Sequence, residues 1–381
     1  MSSYCPELMT RYNSWKQAVG DLRTAYKDML SSGKGLDEQK VTEYIDKIQS
    51  AREEYIKYTQ EEVGLEWRGK IHKISRIEAE AVKKITERVK DVVVFEFYSN
   101  HVSEMRFFGE EPTQELIQAV KMCSVFKGCY LYLKNLESAK GFKFPQSIKE
   151  LHLNGLTSAE GLELPQSIEY LSLDGLTSAK KLVLPQSIKK LYLNGLTSEE
   201  GLELPQSIKK LSLNGLTSID IEDFELPQSI KALYLNGLTS AEGLELPQSI
   251  EYLSLDGLTS AKKLVLPQSI KKLYLNGLTS EEGLELPQSI KKLSLNGLTS
   301  IDIEDFELPQ SIKALYLNGL TSAEGLELPQ SIEYLSLDGI TSAEGLELPQ
   351  SVKYLWVCRL SPEERNDLRR DYPHLIIVPT P

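Results

Sequence analysis

From about residue 129 onward, apolar and polar positions recur in a short fixed pattern. Each unit follows the order Ile-x-x-Leu-x-Leu, as in Ile168, Leu171 and Leu173. Two leucines separated by one residue place their side chains on the same face of a strand. The units are 20 residues long, apart from two of 22 that carry the insert IDIEDF at Ile219–Phe224 and Ile301–Phe306. The leucine that opens each pair lies at positions 131, 151, 171, 191, 211, 233, 253, 273, 293, 315, 335 and 355.

Equal spacing of these units predicts parallel strands that stack into a solenoid with one shared core. Pro165 and its equivalents fall on the segment that returns to the next strand, where a fixed φ and a missing N–H favour extended chain over helix. We therefore expect an α/β-type repeat solenoid: a horseshoe of about 12 parallel strands with an extended, non-helical convex side. Its concave sheet would be about 50 Å long. Residues 164–245 recur letter for letter as 246–327, which indicates either a recent duplication or engineering.

The repeats resemble a known class. Leu-x-x-Leu-x-Leu units with a Leu-Pro-x-Ser segment beside the strand are similar to the short, 20-residue class of bacterial leucine-rich repeat. That class occurs in secreted effectors of pathogenic enterobacteria and in many other bacterial proteins. The resemblance covers roughly residues 129–360, and it implies a leucine-rich repeat fold.

One position departs from that class. At the ninth position the class places Asn or Cys, whose side chain bonds the backbone of adjacent repeats, but here the residue is Leu, as in Leu156. The bonding between units is then expected from other polar side chains. One candidate is the Thr157-Ser158 pair and its repeats, and the other is the Gln166-Ser167 pair. The Asn-Gly and Asp-Gly pairs are interpreted only as turns that lead the chain out of each strand.

The first 91 residues show the spacing of helices, because apolar residues recur at alternating steps of three and four. A break is predicted at Ser31–Gly35. We expect an N-terminal α-helical domain over residues 1–91, either a three-helix bundle or a helical hairpin plus a third helix. A dimerising coiled coil, which would give a homo-oligomer through residues 1–91, is the alternative. The apolar positions of the three series are Leu8, Tyr12, Trp15, Val19, Leu22, Tyr26 and Met29; Val41, Tyr44, Ile45, Ile48 and Tyr55; and Ile71, Ile74, Ala81, Ile85 and Val92.

Caps are predicted at both ends of the repeats, which span residues 129–360. Residues 92–128 begin with the strand-like run 92–98 and continue with a helix at Thr113–Met122. Residues 361–381 open with Ser361 as a helix N-cap, and the helix should run to about Asp371. The segment Leu375–Val378 would then cover the last repeat.

Two positions of each unit are expected to point to the concave face. The position between the paired leucines alternates between Tyr and Ser from Ser172 onward, and the residue two positions earlier is often Tyr or Lys. Tyr and Ser are typical of adaptable recognition surfaces, although aromatic neighbours on adjacent strands also stabilise a sheet. The candidate partner-binding residues are Tyr170, Tyr192, Tyr234, Tyr252, Tyr274, Tyr316, Tyr334, Tyr354 and Trp356.

Charge and composition narrow the choice of partner. The net charge is −12, and residues 128–381 carry 23 basic against 34 acidic side chains. Such a surface repels phosphate backbones, so we expect a protein partner and no nucleic acid. The N-terminus lacks the apolar core of a signal peptide, and there is no apolar run long enough for a membrane span. The expected location is the cytoplasm, or outside the cell by a route that needs no classical signal peptide.

Catalytic motifs are not found in this sequence. It contains no GxGxxG, GxxxxGK[ST], HExxH or GxSxG segment. The four cysteines form no CxxC pair and the four histidines lie far apart, so we expect no metal, no cofactor and no enzymatic activity. The interpretation is an effector-like interaction module or adaptor that binds a protein on a concave Tyr/Ser face. The alternatives are a self-assembling scaffold joined through the N-terminal helices, and a consensus-engineered scaffold.

Overall fold

The computed structural model describes residues 6–32, 38–89, 93–219, 224–301 and 306–378. The chain forms two compact units. The first contains Met1–Leu136 and Gly141–Leu151, and the second contains Glu137–Lys140 and His152–Pro381. The division predicted from the sequence, at residues 91, 128 and 360, stays a prediction.

The first unit begins with a helical hairpin. Helix α1 (Pro6–Ser32) packs against helix α2 (Glu38–Gln60). Arg11 near the start of α1 lies 3.4 Å from Glu54 near the end of α2, so the two helices are antiparallel. The rings of Tyr12 and Trp15 lie about 6 Å from that of Tyr55, with centroid separations of 6.2 and 6.0 Å. The predicted helix pair is therefore present, and residues 33–37 of the predicted break lie outside the described residues.

A β-hairpin follows where the sequence had predicted a helical seam. Strands β1 (Glu62–Trp67) and β2 (Lys70–Ser75) pair in antiparallel register. Arg68 and Gly69 form the two-residue turn with φ of +48° and +76°, the backbone that a tight hairpin requires. The helix predicted through Ile71 and Ile74 is wrong at these positions, because they lie on β2. The helix begins only at α3 (Arg76–Val89).

A second hairpin completes the first unit. Strand β3 (Val93–Tyr98) pairs antiparallel with β4 (His101–Phe107), and β4 pairs parallel with β5 (Tyr130–Tyr132). Between β4 and β5 the chain forms helix α4 (Gln114–Met122), which is followed by a 3-10 turn over residues 123–125. The hydroxyl of the N-cap Thr113 accepts a hydrogen bond from the backbone N–H of Leu116 at 3.2 Å. The predicted strand and helix are confirmed, whereas β4 was not predicted.

The repeats form short parallel strands, each centred on one of the twelve predicted leucines. In the second unit each strand pairs with the next without any register shift, so that Leu171 lies opposite Leu191 and Leu211 opposite Leu233. These leucines are fully buried. The predicted solenoid of about twelve parallel ribs is confirmed. After β5 the strands are β6 (Glu150–His152), β7 (Tyr170–Ser172), β8 (Lys190–Tyr192), β9 (Lys210–Ser212), β10 (Ala232–Tyr234), β11 (Tyr252–Ser254), β12 (Lys272–Tyr274), β13 (Lys292–Ser294), β14 (Ala314–Tyr316), β15 (Tyr334–Ser336) and β16 (Tyr354–Trp356).

The return segments consist of turns and unpaired chain. After β7, three successive turns are closed by backbone hydrogen bonds, from Leu176 to Leu173 at 3.0 Å, from Leu182 to Ala179 at 2.9 Å, and from Ile188 to the proline carbonyl at 3.3 Å. The described parts of the returns contain no helix. The predicted non-helical return is therefore confirmed. Most of the two inserts, at positions 220–223 and 302–305, lies outside the described residues.

Side-chain hydrogen bonds between ribs come mainly from a row of Asn and Asp residues. The side-chain oxygen of Asn214 accepts a hydrogen bond from the backbone N–H of Asn236 in the next rib at 3.0 Å. Equivalent bonds join successive ribs, from the one donated by Asn194 to the one donated by Cys358. Ser187 adds a second link, since its hydroxyl donates to the carbonyl of Ile168 at 2.6 Å. The predicted role of the Gln-Ser pair is thus confirmed for its Ser. The Asn-Gly pairs, which were interpreted only as turns, carry the principal row of bonds.

The C-terminal cap agrees with its prediction. Helix α5 (Pro362–Asp371) begins with a capping box in which Ser361 and Glu364 each bond the other's backbone N–H. Strand β16 pairs in parallel with the last strand, β17 (Ile376–Ile377). Among the residues described, no helix has the length and apolar content needed to cross a membrane.

Candidate functional site

Each strand of the second unit turns two side chains away from its buried leucine. In β7 these are Tyr170 and Ser172, on either side of Leu171, because side chains alternate between the two faces of a strand. We call the surface formed by these two positions in β7–β16 the strand face. All nine candidate residues predicted from the sequence lie on it. Tyr334 is 40% exposed, and the other eight are half-buried.

The serines of the strand face are not presented to a partner. Ser172, Ser212, Ser254, Ser294 and Ser336 are only 2–4% exposed. The hydroxyl of Ser172 lies 2.6 Å from Oδ1 of Asn154 and 2.8 Å from Oδ2 of Asp174, so its proton is directed into the row of Asn and Asp residues. The expected Tyr/Ser surface is therefore wrong in its serine half. These hydroxyls are buried between larger neighbours and serve the links between ribs.

Most of the aromatic rings contact one another diagonally across neighbouring strands, whereas Tyr334 lies directly opposite Tyr354 and Tyr354 contacts Trp356 within one strand. Tyr170 stacks on Tyr192 with ring centroids 5.1 Å apart, and Tyr252 lies between two rings of the adjoining ribs. Offset contacts at this distance are favourable by about 0.5–1.5 kcal/mol. The described ring contacts within the strand face are Tyr170–Tyr192, Tyr234–Tyr252, Tyr252–Tyr274, Tyr334–Tyr354 and Tyr354–Trp356. Tyr170 also contacts His152 of β6.

Two lysines connect these aromatic groups. Strand β9 has Ser at the inner position, and the side chain of Lys210 extends between the rings of the strands on both sides. Its ammonium lies 5.4 Å from the ring centroid of Tyr192 and 4.8 Å from that of Tyr234. Lys292 repeats this arrangement, with its ammonium 5.4 Å from the ring centroid of Tyr274 and 4.7 Å from that of Tyr316. All four distances lie within the range of a cation–π interaction.

The charge of these two lysines is stabilised by the neighbouring phenols. Burial lowers the pKa of Lys210, but hydrogen bonds to the hydroxyls of Tyr192 and Tyr234 outweigh it, so the pKa is raised above its ordinary value. The pKa of Lys292 is raised in the same way by Tyr274 and Tyr316. Each ammonium is therefore firmly cationic at neutral pH, and it stands in an aromatic setting.

Sequence reasoning missed the bridging lysines. In the sequence, the position two residues before the inner one was noted only as often Tyr or Lys, and no lysine was included among the candidate residues. The signal was nevertheless present: Lys210 and Lys292 occupy the outer position of a rib whose inner residue is Ser, and both neighbouring ribs have Tyr at the inner position. A side chain as long as lysine reaches across one strand spacing of about 4.8 Å to both rings.

A row of charged residues runs along one edge of the strand face. It occupies the position before the outer residue of each strand and contains Glu169, Lys189, Lys209, Lys231, Glu251, Lys271, Lys291, Lys313, Glu333 and Lys353. Each carboxylate of the row is ion-paired. Glu251 lies 3.2 Å from the ammonium of Lys231 and 2.6 Å from that of Lys271. Hydrogen bonds from Lys313 and Lys353 lower the pKa of Glu333 to about 2.

Cys358 takes the place of Asn or Asp in the last rib. Its backbone N–H donates to Oδ1 of Asp338 at 3.0 Å. Partial burial and the neighbouring Asp338 raise the pKa of its thiol to about 11. This cysteine is therefore protonated at neutral pH, which makes it a weak nucleophile. Cys5 lies outside the described residues.

The fold is similar to solved structures of bacterial leucine-rich repeat proteins. YopM from Yersinia enterocolitica WA-314 aligns with 61% of this chain and 56% of its own, at 21% identity and a TM-score of 0.45. YopM from Yersinia pestis, a leucine-rich effector protein, aligns with 61% and 66% at 20% identity and a TM-score of 0.43. A leucine-rich repeat protein from Leptospira interrogans aligns with 71% and 75% at 21% identity and a TM-score of 0.36. The alignment thus spans less than two thirds of either Yersinia protein.

No protein-family model and no curated protein matches the sequence itself.

Proposed function

We propose that this protein is a non-catalytic interaction module that binds a protein partner on the strand face of its solenoid. The observation that carries the proposal is the unbroken series of rings and ammonium groups from Tyr170 to Tyr316, through Lys210 and Lys292. Tyrosine supplies a large, rigid contact area at a low cost in side-chain entropy. Half-buried rings that are already held by their neighbours lose little freedom when a partner covers them.

The nucleophiles on and beside the strand face support a binding role over a catalytic one. Ser172 and its equivalents are buried and donate their protons within the row that links the ribs. The thiol of Cys358 is protonated at neutral pH because its pKa is raised. Activated nucleophiles need an adjacent base or a lowered pKa. The partner-binding residues of the proposal are the nine aromatic residues named above together with Lys210 and Lys292.

The proposal is tested with two variants of the full chain that change the same four ribs. The first replaces Tyr192, Tyr234, Tyr274 and Tyr316 with Ser on the strand face. The second replaces Glu203, Glu245, Glu285 and Glu327 with Gln on the exposed return segments. Circular dichroism and thermal unfolding establish that both are folded. Affinity capture with the wild-type chain, followed by identification of what co-purifies, defines the specific partner. We expect the first variant to lose this partner and the second variant to keep it. Equal retention by both would overturn the proposal.

Assembly through residues 1–91 is a second candidate function. Val19 on α1 and Ile45 on α2 are 44% and 42% exposed, respectively, although α1 and α2 already pack on each other. In a contact between two copies of the hairpin, these are the apolar side chains that we expect the second copy to cover. Sedimentation of the full chain at increasing concentration tests this candidate. A loss of self-association in Val19→Lys with Ile45→Lys would support it, and a monomer at all concentrations would exclude it.

A further inference from the structure

The charge on and beside the strand face has a period of four ribs. Five lysines come from three consecutive ribs, and the rib before them carries two carboxylates, one at each end of its strand. We call the lysine sets basic patch one and basic patch two, and the ribs that carry the carboxylates, one before patch one, one between the patches and one after patch two, the acidic ribs. Basic patch one is Lys189, Lys190, Lys209, Lys210 and Lys231, and basic patch two is Lys271, Lys272, Lys291, Lys292 and Lys313. The acidic ribs carry Glu169 and Asp174, Glu251 and Asp256, and Glu333 and Asp338.

The two basic patches are the same site in duplicate. Position 189 in the first patch corresponds to position 271 in the second, and residues 189–231 recur without change as residues 271–313. Their geometry is also repeated, since Lys210 and Lys292 lie at the same distances from their ring partners within 0.1 Å. Four parallel strand spacings separate the patches, which amounts to about 19 Å.

Each basic patch holds positive charge that is not neutralised within the chain. Lys189 and Lys231, at its two ends, are ion-paired with Glu169 and Glu251. In the described part of the chain, Lys190 and Lys209 take part in no ion pair, and both are exposed. An anionic ligand would therefore find an uncompensated positive site around Lys210, and it would relieve the repulsion between neighbouring ammonium groups.

We propose that basic patches one and two together bind one extended acidic polypeptide that runs along the solenoid and presents two acidic clusters about six residues apart. The spacing follows from about 19 Å divided by about 3.3 Å per residue of extended chain. Between the clusters, the peptide crosses the acidic rib of Glu251 and Asp256, where an uncharged residue packs on Tyr252. This inference rests on the proposed function of the strand face and deepens it.

The acidic ribs distinguish a polypeptide from a nucleic acid. A nucleic-acid strand carries one phosphate on every nucleotide, so it would place negative charge next to Glu251 and Asp256 whatever its register. A polypeptide can leave that stretch uncharged. The overall net charge of −12 adds to the repulsion of a uniform polyanion.

Duplication makes the binding bivalent. Once one acidic cluster is bound, the second cluster is held close to the other patch at a high effective concentration, which strengthens binding by a factor of 10²–10⁴ in favourable cases, by order of magnitude. Loss of either patch should therefore remove most of the affinity. The two losses should be equal because the patches have identical sequences.

The test uses synthetic peptides and the full chain. The peptide EEESPSEEE places the centres of its two acidic clusters six residues apart, and EEEEEESPS has the same composition with its charge in one block. Fluorescence anisotropy at low ionic strength measures the affinity for each. We expect the wild-type chain to bind the spaced peptide at least about 10-fold more tightly. Equal affinity for the two peptides, or equally tight binding of a single-stranded DNA of the same charge, would overturn the proposal.

Three variants with the same change in net charge complete the test. Lys190→Gln with Lys209→Gln removes charge from patch one, and Lys272→Gln with Lys291→Gln does the same for patch two. Lys180→Gln with Lys262→Gln changes two exposed lysines of the return segments as the matched control. We expect the first two variants to lose the preference for the spaced peptide to the same extent, and the control to keep it. Unequal losses, or an equal loss in the control, would contradict bivalent binding.

The outcomes separate this inference from the proposed function. If neither peptide binds but the Tyr-to-Ser variant of the strand face still loses the captured partner, the acidic-peptide proposal is wrong and the binding face stands. If that Tyr-to-Ser variant keeps its partner, the proposed function itself is wrong.

Discussion

The ammonium of Lys210 lies 4.8 Å from the ring centroid of Tyr234, and it reaches that ring from the neighbouring strand. The same ammonium lies 5.4 Å from the ring of Tyr192 on the other side. One side chain thus joins two aromatic groups that the intervening Ser212 would otherwise separate. This contact gives the strand face its continuity, and it has a measurable effect on stability.

We expect Lys210→Gln to lower the free energy of unfolding by about 0.5–1 kcal/mol, because a partly exposed cation–π contact is worth about that much. Lys292→Gln should have the same effect, since its surroundings are a copy. Urea denaturation followed by circular dichroism measures both. The neighbouring exposed Lys209→Gln is the control and should change stability by less. A loss in Lys209→Gln as large as that in Lys210→Gln would show that the ring contacts contribute nothing specific.

The tyrosines of the strand face predict that the stability of the folded chain falls at alkaline pH. Burial, together with the neighbouring Tyr234 and Tyr274, raises the pKa of Tyr252. A group whose pKa is higher in the folded chain contributes its full stability below the unfolded value of about 10, and that contribution disappears as the pH rises through the folded value. We expect Tyr252→Phe to remove one late-ionising phenol from a titration followed by absorbance at 295 nm. A late phase of unchanged amplitude in this variant would contradict the assignment.

The row of Asn and Asp residues predicts a difference between two substitutions at one position. Asn214→Ala removes the oxygen that accepts the N–H of Asn236 at 3.0 Å. A buried donor left without its acceptor costs about 1–3 kcal/mol. Asn214→Asp keeps an acceptor in place, as Asp174 and Asp256 do naturally, and should cost less. Chemical denaturation compares the two, and an equal loss of stability in both variants would be inconsistent with this role.

The glycine after each Asn or Asp is required by close stacking of the ribs. A Cβ on Gly215 would lie inside van der Waals contact with the carbonyl oxygens of Asn194 and Leu196. We expect Gly215→Ala to destabilise the chain by about 1–3 kcal/mol, the usual cost of overpacking. Gly20, in the middle of α1, has open space around its Cβ position, so Gly20→Ala should instead stabilise by about 0.5–1 kcal/mol. Thermal unfolding of both variants checks the contrast in sign.

The solenoid could be predicted because its signal is repeated twelve times. Leu171 and Leu173 define a strand only weakly on their own, but the fixed step of the pattern requires every rib to adopt the same conformation. The capping residue Ser361 followed by Pro362 was equally clear, since each residue type has a specific role at a helix start. These features depend on local sequence and on period alone.

Other features depend on contacts that a single pattern does not contain. The β-hairpin at Glu62–Ser75 was missed because Ile71 and Ile74 also fit helical spacing, and the deciding element is the left-handed turn at Arg68 and Gly69. The linking role of Asn214 was missed because the ninth position of the class was aligned with Leu, as in Leu156, and the Asn-Gly pairs were interpreted only as turns. Its acceptor function appears only when one rib is stacked on the next.

The central claim is that the strand face, and not the return side, contacts the partner. Photo-cross-linking tests it most directly, with p-benzoylphenylalanine placed at Tyr234 on the strand face or at the exposed Glu245 on the return segment of the same rib. After irradiation under native conditions, we predict a specific cross-linked partner from position 234 and none from position 245. A partner cross-linked from position 245 alone, or equally from both, would contradict the claim.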